Sequence, residues 1–379
     1  MKFIHELRKI KKSLSHRDPL IKIMVSKDNI LHNFKEFKNQ APENVKVSPV
    51  LKSNAYGHGL KEIASMFKNQ DNPFLVIESL FEAEALRNYG ISDKILLIGY
   101  FRPDMINHKI KNVSYLITSI EQLNEINKII KKKANIHLKI DTGMRRQGVS
   151  INSLNKVIKI IKSNNKICLE GVCSHLSDAD NKDDSFTLKQ IENWNNIVSQ
   201  FKKEFNNIKY FHLAASSGIG YLNKISSNLM RVGIGLYGFN MSAKKKLDLK
   251  PTLRAETLIT TIRRLKPGDC VGYNATFQAK EKMISATMPF GYFEGYDRRL
   301  SNKGFVKYKD KFCSVLGRVS MNITSFNVSN TEARVGDKVI AISDNHKDKN
   351  SVLNISKMCD TIPYVILVNI PKHLKRIVY

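Results

Sequence analysis

The chain has 379 residues, 42% of them hydrophobic, with 62 lysines and arginines against 34 aspartates and glutamates, a formal charge of +28. That apolar fraction supplies the cores of two domains, and no stretch is long and apolar enough to read as a helix crossing a bilayer, so no membrane association is expected. The charge invites a nucleic-acid partner, but the basic runs RKIKKS (8–13), KIIKKKAN (128–135) and AKKKLDLK (243–250) lie apart without interleaved aromatics. They read as solvated helix faces and loops, and no nucleic-acid binding is expected.

The basic opening stretch, MKFIHELRKIKKSLSHRDPLIK, interrupts its apolar positions too often for a signal peptide, which points to the cytoplasm. Five cysteines, Cys168, Cys173, Cys270, Cys313 and Cys359, are odd in number and form no CxxC pair. Reduced thiols follow, with no disulfide framework and no structural zinc. The ten histidines show no H-x-x-x-H spacing, so no metal is expected.

From residue 48 short apolar runs alternate with helical patterns: VSPVLK around 48–52, FLVIES from 74, ILLIG from 95, SYLIT from 114, IHLKID from 136, LEGVCSH from 169, YFHLA from 210 and LMRVG from 229. Each run is apolar on both faces, as a parallel strand covered on two sides must be. The spacers, such as IEQLNEINKIIKKK, repeat with helical period. Eight such units predict a (β/α)8 TIM-like barrel. After residue 250 the texture changes: PTLRAETLITTIRRLKPGDCVGY and EARVGDKVIAIS alternate polar and β-branched residues around tight turns. The expected organisation is a barrel over 1–245 followed by an all-β domain over 246–379.

Barrel active sites lie at the C-terminal ends of the strands, and Lys52 follows the first strand directly, in VLKSNAYGHG (50–59). A lysine there can react as a neutral amine with an aldehyde, or can simply be a surface cation at a loop start; position alone leaves both open.

VLKSNAYGHG resembles the pyridoxal-phosphate attachment motif of the alanine racemase family. The resemblance continues in family order through LKIDTGMRRQGV (138–149), SHLSDAD (174–180), HLAASSG (212–218), MRVGIGLYG (230–238), VGYNATF (271–277), GYFEGYDRRLSN (291–302), GRVSMN (317–322) and IPY (362–364). It implies an amino-acid racemase making D-alanine for peptidoglycan precursors, a barrel that carries pyridoxal 5′-phosphate, and a homodimer with shared sites. It further implies that Lys52 holds the cofactor as a Schiff base and acts as one acid/base, while Tyr273, from the β domain reaching the partner subunit, is the other. Racemisation needs two such groups on opposite faces of a planar intermediate. The resemblance assigns the cofactor phosphate to Tyr56, Ser216, the backbone of Gly233 and Ile234, and Tyr364. Arg231 faces the pyridine nitrogen, His175 links it to Tyr273, Arg146 and the Met321 amide bind the substrate carboxylate, and Tyr292 lines the entrance. Lys139 matches a position that some members carbamylate.

The chain departs from the family pattern at Asn322, where an aspartate is usual, and at Ala215, Ser320 and Arg145, where asparagine, cysteine and a small residue are usual. None of these removes a base or a cofactor ligand; they bear on substrate preference, and a related racemase of broader or serine preference is the alternative. A decarboxylase on the same barrel would call for a carboxylate where Arg231 stands, and a cofactor carrier would not need Tyr273 or the β domain.

Overall fold

The structure, a computed structural model, describes residues 18–68 and 70–379; the RKIKKS run and most of the basic N-terminal segment lie outside the described residues. Two compact units emerge, one of residues 26–252 with Tyr379, the other of the described residues up to Val25 with Leu253–Val378.

Strand β1 (Lys22–Val25) belongs to the second unit and is taken up there. In the first unit eight strands follow: β2 (Lys46–Pro49), β3 (Leu75–Ile77), β4 (Ile95–Leu97), β5 (Val113–Ile117), β6 (Ala134–Lys139), β7 (Ile167–Cys173), β8 (Tyr210–His212) and β9 (Leu229–Val232). They coincide with the eight apolar runs. β3 to β8 pair in sequence order, all parallel, and β2 pairs parallel with β9. A bridge from Val50 to Val76, with the Leu51 amide donating to the Val76 carbonyl at 2.7 Å, joins β2 to β3. Amides of Asn228 and Arg231 donate to the carbonyls of Phe211 and Ala214 at 3.0 and 3.2 Å, joining β8 to β9, so the ring closes as a (β/α)8 barrel.

The outer helices obey the sequence pattern. In Leu154–Lys162 the buried residues Leu154, Val157, Ile158 and Ile161 recur at helical spacing and face the barrel. Ser79 and Ser119 cap the helices Leu80–Asn88 and Ile120–Ile129, each hydroxyl accepting a first-turn amide at 3.2 and 3.1 Å. No helix among the described residues is long and apolar enough to cross a membrane.

The second unit holds β10 (Leu253–Leu258), β11 (Thr261–Leu265), β12 (Cys270–Val271), β13 (Phe277–Gln278), β14 (Met283–Met288), β15 (Phe305–Tyr308), β16 (Lys311–Ser314), β17 (Thr324–Asn327), β18 (Lys338–Ile342) and β19 (Lys375–Val378). Its main sheet runs β16-β15-β18-β10-β1-β19, beside a three-stranded sheet β11-β14-β17 and the hairpin β12-β13. β1 thus lies inside this sheet, antiparallel to β10 and parallel to β19. The sequence reading drew one boundary at 245/246 and kept residues 1–25 with the barrel; the chain instead passes between units at 25/26 and 252/253. The short strand KIMV carries no local mark of which sheet it joins, because both its partners, β10 and β19, come after the entire barrel in the chain.

Ile23 has no exposed surface and faces Ala255 across the β1–β10 ladder. Ile23→Ala is expected to destabilise the β unit by about 2–5 kcal/mol, the usual cost of a buried isoleucine truncation, read as a lowered urea midpoint at unchanged slope.

Candidate active site at the strand ends of the barrel

Beyond β2 the chain continues through Val50 and Leu51 to Lys52, which is half-buried and donates from Nζ to Glu78 Oε2 at 3.1 Å, just past the end of β3. The next four residues, Ser53, Asn54, Ala55 and Tyr56, have φ of 57°, 55°, 52° and 51°, a full left-handed turn without glycine. Each such residue costs about 1–2 kcal/mol, so the surroundings must impose the turn. Glu82 Oε1 accepts the amides of Ser53 and Asn54 at 2.7 and 3.4 Å, and Oε2 accepts that of Glu78 at 2.8 Å. The Asn54 side chain accepts the Leu60 amide at 3.0 Å. The turn carries Tyr56 inward, its ring 4.8 Å from that of Tyr237 and its hydroxyl beside Gly233.

Gly233 follows β9. Ser216 Oγ accepts the amides of Gly233 and Gly235 at 3.0 and 3.2 Å and draws that loop into a cradle ahead of the 3-10 turn Ile234–Tyr237. A Cβ on Gly233 would lie 2.5 Å from the Tyr56 hydroxyl oxygen, and one on Gly235 2.4 Å from a Phe37 ring carbon. Only glycine permits this approach. Main-chain amides, a serine and a tyrosine hydroxyl make a donor set suited to a phosphate.

Arg231, near the end of β9, is buried. Its guanidinium donates to the carbonyls of Ser174, His212 and Leu213 at 2.9, 3.1 and 3.2 Å and also reaches His212 Nδ1 and, at 3.4 Å, His175 Nδ1. Burial lowers the arginine from its ordinary value while the neighbouring Cys173 thiol opposes the shift. His175 is pushed down to about 3 by burial and then by the charges of Arg231, Lys139, Arg146 and Lys52. Four cations of the barrel mouth thus act on one imidazole. Lys139, at the end of β6, is buried and lowered chiefly by burial, with Arg146 and Arg231 adding to the shift and Cys173 and Glu78 opposing it. Arg146 is exposed on the loop after β6, where Asp141 Oδ1 accepts the amides of Gly143 and Arg145 at 2.8 and 3.1 Å.

Lys52, Tyr56, Lys139, Arg146, His175, Ser216, Arg231, Gly233 and Ile234 therefore all follow or end barrel strands on the same rim. The remaining expected residues lie in the β unit. Tyr273 stands on a 3-10 turn between β12 and β13 and is 68% exposed; Met321 is 55% exposed. Tyr292 is exposed on a neighbouring loop, where amides of Tyr292 and Phe293 donate to the carbonyls of Ser320 and Met321 at 3.1 and 2.9 Å. Asn322 donates to Glu294 Oε1 at 2.7 Å. Tyr364 is half-buried in the helix Pro363–Val368.

Sequence reasoning missed Glu78, Glu82, Glu170, His58, His137 and His212. His58, within VLKSNAYGHG, is buried with Nδ1 2.9 Å from the Tyr56 carbonyl and Nε2 2.8 Å from Thr252 Oγ1. The carbonyl can only accept, so a proton sits on Nδ1; the Thr252 hydroxyl that meets Nε2 also donates to the Tyr237 carbonyl at 3.2 Å. His137 and His212 lie within the apolar strand runs, which are buried on both faces and so carry no alternation to mark an inward-facing residue.

A closed barrel with a half-buried lysine, an amide-lined anion cradle and a cationic rim is the architecture of a barrel enzyme acting on an anionic substrate or cofactor at the strand ends. Comparison with known proteins carries this further. The alanine racemase N-terminal domain model matches residues 25–241 and the alanine racemase C-terminal domain model residues 252–378. Alanine racemase 2 of Caldanaerobacter subterraneus subsp. tengcongensis is 33% identical over 94% of either chain, and alanine racemase 2 of Bacillus subtilis 30% identical over 93%. The solved alanine racemase of Clostridium difficile 630 superposes with a TM-score of 0.88 at 28% identity over 96% of both chains, and that of Bacillus anthracis with bound L-Ala-P does equally well. The chain belongs to the alanine racemase family, with the amino-acid racemase activity that names it.

Three imidazoles contribute to the acid sensitivity of the fold. His175 at about 3, and His137 and His212 both lowered by burial, bind protons more weakly folded than at the ordinary 6.5. Their contribution to stability is therefore full above pH 6.5 and is lost as pH falls from there toward 3. Urea midpoints measured across that range should fall, and less steeply in His175→Gln.

Proposed function

We propose that the protein interconverts L-alanine and D-alanine with pyridoxal 5′-phosphate as resident cofactor, acting in the cytoplasm as a homodimer that supplies D-alanine for peptidoglycan. The observation that carries the cofactor is the pairing of Lys52 with the cradle of Ser216, Gly233 and Ile234, into which the Tyr56 hydroxyl points. Tyr364 completes the phosphate contacts in this reading. Pyridoxal phosphate, when bound, withdraws electrons from the substrate's alpha carbon so that its proton can leave.

The chain's own residues do the rest. Arg231, always a donor, hydrogen-bonds the pyridine nitrogen and leaves it unprotonated, which weakens the electron sink and favours return of the proton over transamination. Lys52 and Tyr273 take and return the alpha proton from opposite faces. Arg146 and the Met321 amide hold the substrate carboxylate, and neutral His175 accepts from Arg231 and contacts Tyr273. Burial depresses Lys139 and so enlarges its neutral fraction, the form that adds carbon dioxide with loss of a proton to give a carbamate beside Arg146. Tyr273, Tyr292, Phe293, Met321 and Ile323 are exposed apolar residues of the β unit, and this reading sets them against the barrel of the partner subunit.

Borohydride treatment of the yellow protein should fix one cofactor as a secondary amine on Lys52; a label mapped to another lysine overturns the assignment. Chiral assay of the products from alanine and serine sets the substrate preference. In deuterated water, Tyr273→Phe given D-alanine should still exchange its alpha hydrogen through Lys52, while L-alanine exchanges far more slowly and racemisation falls in both directions. Equal loss from both isomers would make Tyr273 a cofactor-positioning group, and equal retention would remove the two-base scheme.

A further inference from the structure

TIM-barrel interiors are ordinarily filled with layers of branched aliphatic side chains. This one carries four ionisable groups from four consecutive strands: His137 on β6, Glu170 on β7, His212 on β8 and Arg231 on β9, all buried. Arg231 reaches His212 Nδ1; His212 Nε2 lies 2.7 Å from His137 Nδ1; His137 Nε2 lies 3.5 Å from Glu170 Oε2. Glu170 is anchored at the far end by Lys94 on Oε1 and by Ser114 Oγ, which donates to Oε2 at 2.5 Å. Gly171 makes the room, since a Cβ there would lie 2.4 Å from His137 Nδ1. Phe74 meets the His137 ring edge-on at 5.3 Å and Tyr210 stacks on it at 6.0 Å, fixing its plane.

The direction of this chain follows from valence. Guanidinium can only donate, so His212 Nδ1 is bare and its proton sits on Nε2; that proton points at His137 Nδ1, which is bare in turn, leaving the His137 proton on Nε2 facing the carboxylate. A second proton on either ring would set N–H against N–H. The two hydrogen bonds thus run from the buried cation toward the buried anion, and the His137 Nε2–H faces the carboxylate across 3.5 Å as a charge–dipole contact. Burial lowers both imidazoles, and Glu170, which burial alone would raise, is held at about 2 by His137, Lys94 and Ser114.

We propose that His212, His137 and Glu170 form a one-way polar relay, two hydrogen bonds closed by a charge–dipole contact, that holds Arg231 as an oriented donor toward the cofactor nitrogen, making all three positioning residues for racemisation. The proposal rests on the reading that Arg231 faces that nitrogen. The relay supplies Arg231 with a countercharge at a distance, so the guanidinium keeps its charge without a carboxylate competing for the hydrogens that the cofactor needs.

Long-range ¹H–¹⁵N correlation of the histidine rings in the full-length protein, with and without pyridoxal phosphate, reads the relay directly, with His137→Asn and His212→Asn giving the assignments. Both rings are expected as Nε2–H tautomers from about pH 6 to 9; an Nδ1–H tautomer or an imidazolium in either overturns the proposal, whether or not any variant folds. Glu170→Gln keeps the shape and removes the countercharge. It should lower kcat by about tenfold or more with KM little changed, and displace the visible band of the bound cofactor. A folded Glu170→Gln with unchanged kcat and band overturns the relay. Arg231→Lys separates the two readings: if it moves the band while Glu170→Gln does not, the relay alone fails, and if it leaves band and activity intact, the assignment of Arg231 to the nitrogen fails.

Discussion

One parallel strand pair brings the chemistry together. β2 and β9 are the first and last strands of the barrel in chain order, and their register sets Ser48 beside Arg231 and Pro49 beside Val232. Shortly beyond Pro49 comes Lys52; directly beyond Val232 comes Gly233. The barrel's closure therefore sets Lys52 and Gly233 beyond the ends of adjoining strands, and a one-residue slip of that register would turn the side chains of one strand to the other face. Pairing of this kind needs the whole ring of strands, since neither β2 nor β9 can close the barrel alone.

From that closure the strain beyond Lys52 becomes tolerable. Four consecutive left-handed residues would not persist in an isolated peptide. Glu82, from the helix after β3, supplies acceptors for the amides that the turn leaves over, and Tyr56 fills the space above Gly233. A loop built this way presents its lysine and tyrosine with little freedom.

The barrel interior shows the complementary arrangement. Where packing alone would be served by aliphatic residues, the centre holds polar groups that follow one another from Arg231 through His212 to His137, whose Nε2 faces Glu170 Oε2 across 3.5 Å. Such a network is costly to bury and worse to leave half satisfied, so its completeness matters more than any single contact. It also explains why Gly171 sits in mid-strand, where glycine otherwise weakens a sheet.

Much of this was legible in the sequence. Eight two-sided apolar runs specified eight parallel strands because burial on both faces leaves no polar alternation, and the ordered motifs, from VLKSNAYGHG to IPY, specified the family. The left-handed turn was not legible: Asn54 and Gly57 tolerate that conformation, but Ser53, Ala55 and Tyr56 do not ask for it, and Glu82 imposes it from another element. Nor was the relay, since His137, Glu170, His212 and Arg231 each end or occupy a different strand and look like isolated polar residues until the barrel closes. The place of β1 in the β unit was decided in the same way, by partner strands that the chain reaches only after completing the barrel. Local pattern determines which residues face inward and which chemistry they carry; only the closed structure decides which of them meet, because contact across a barrel depends on register and closure rather than on neighbours in sequence.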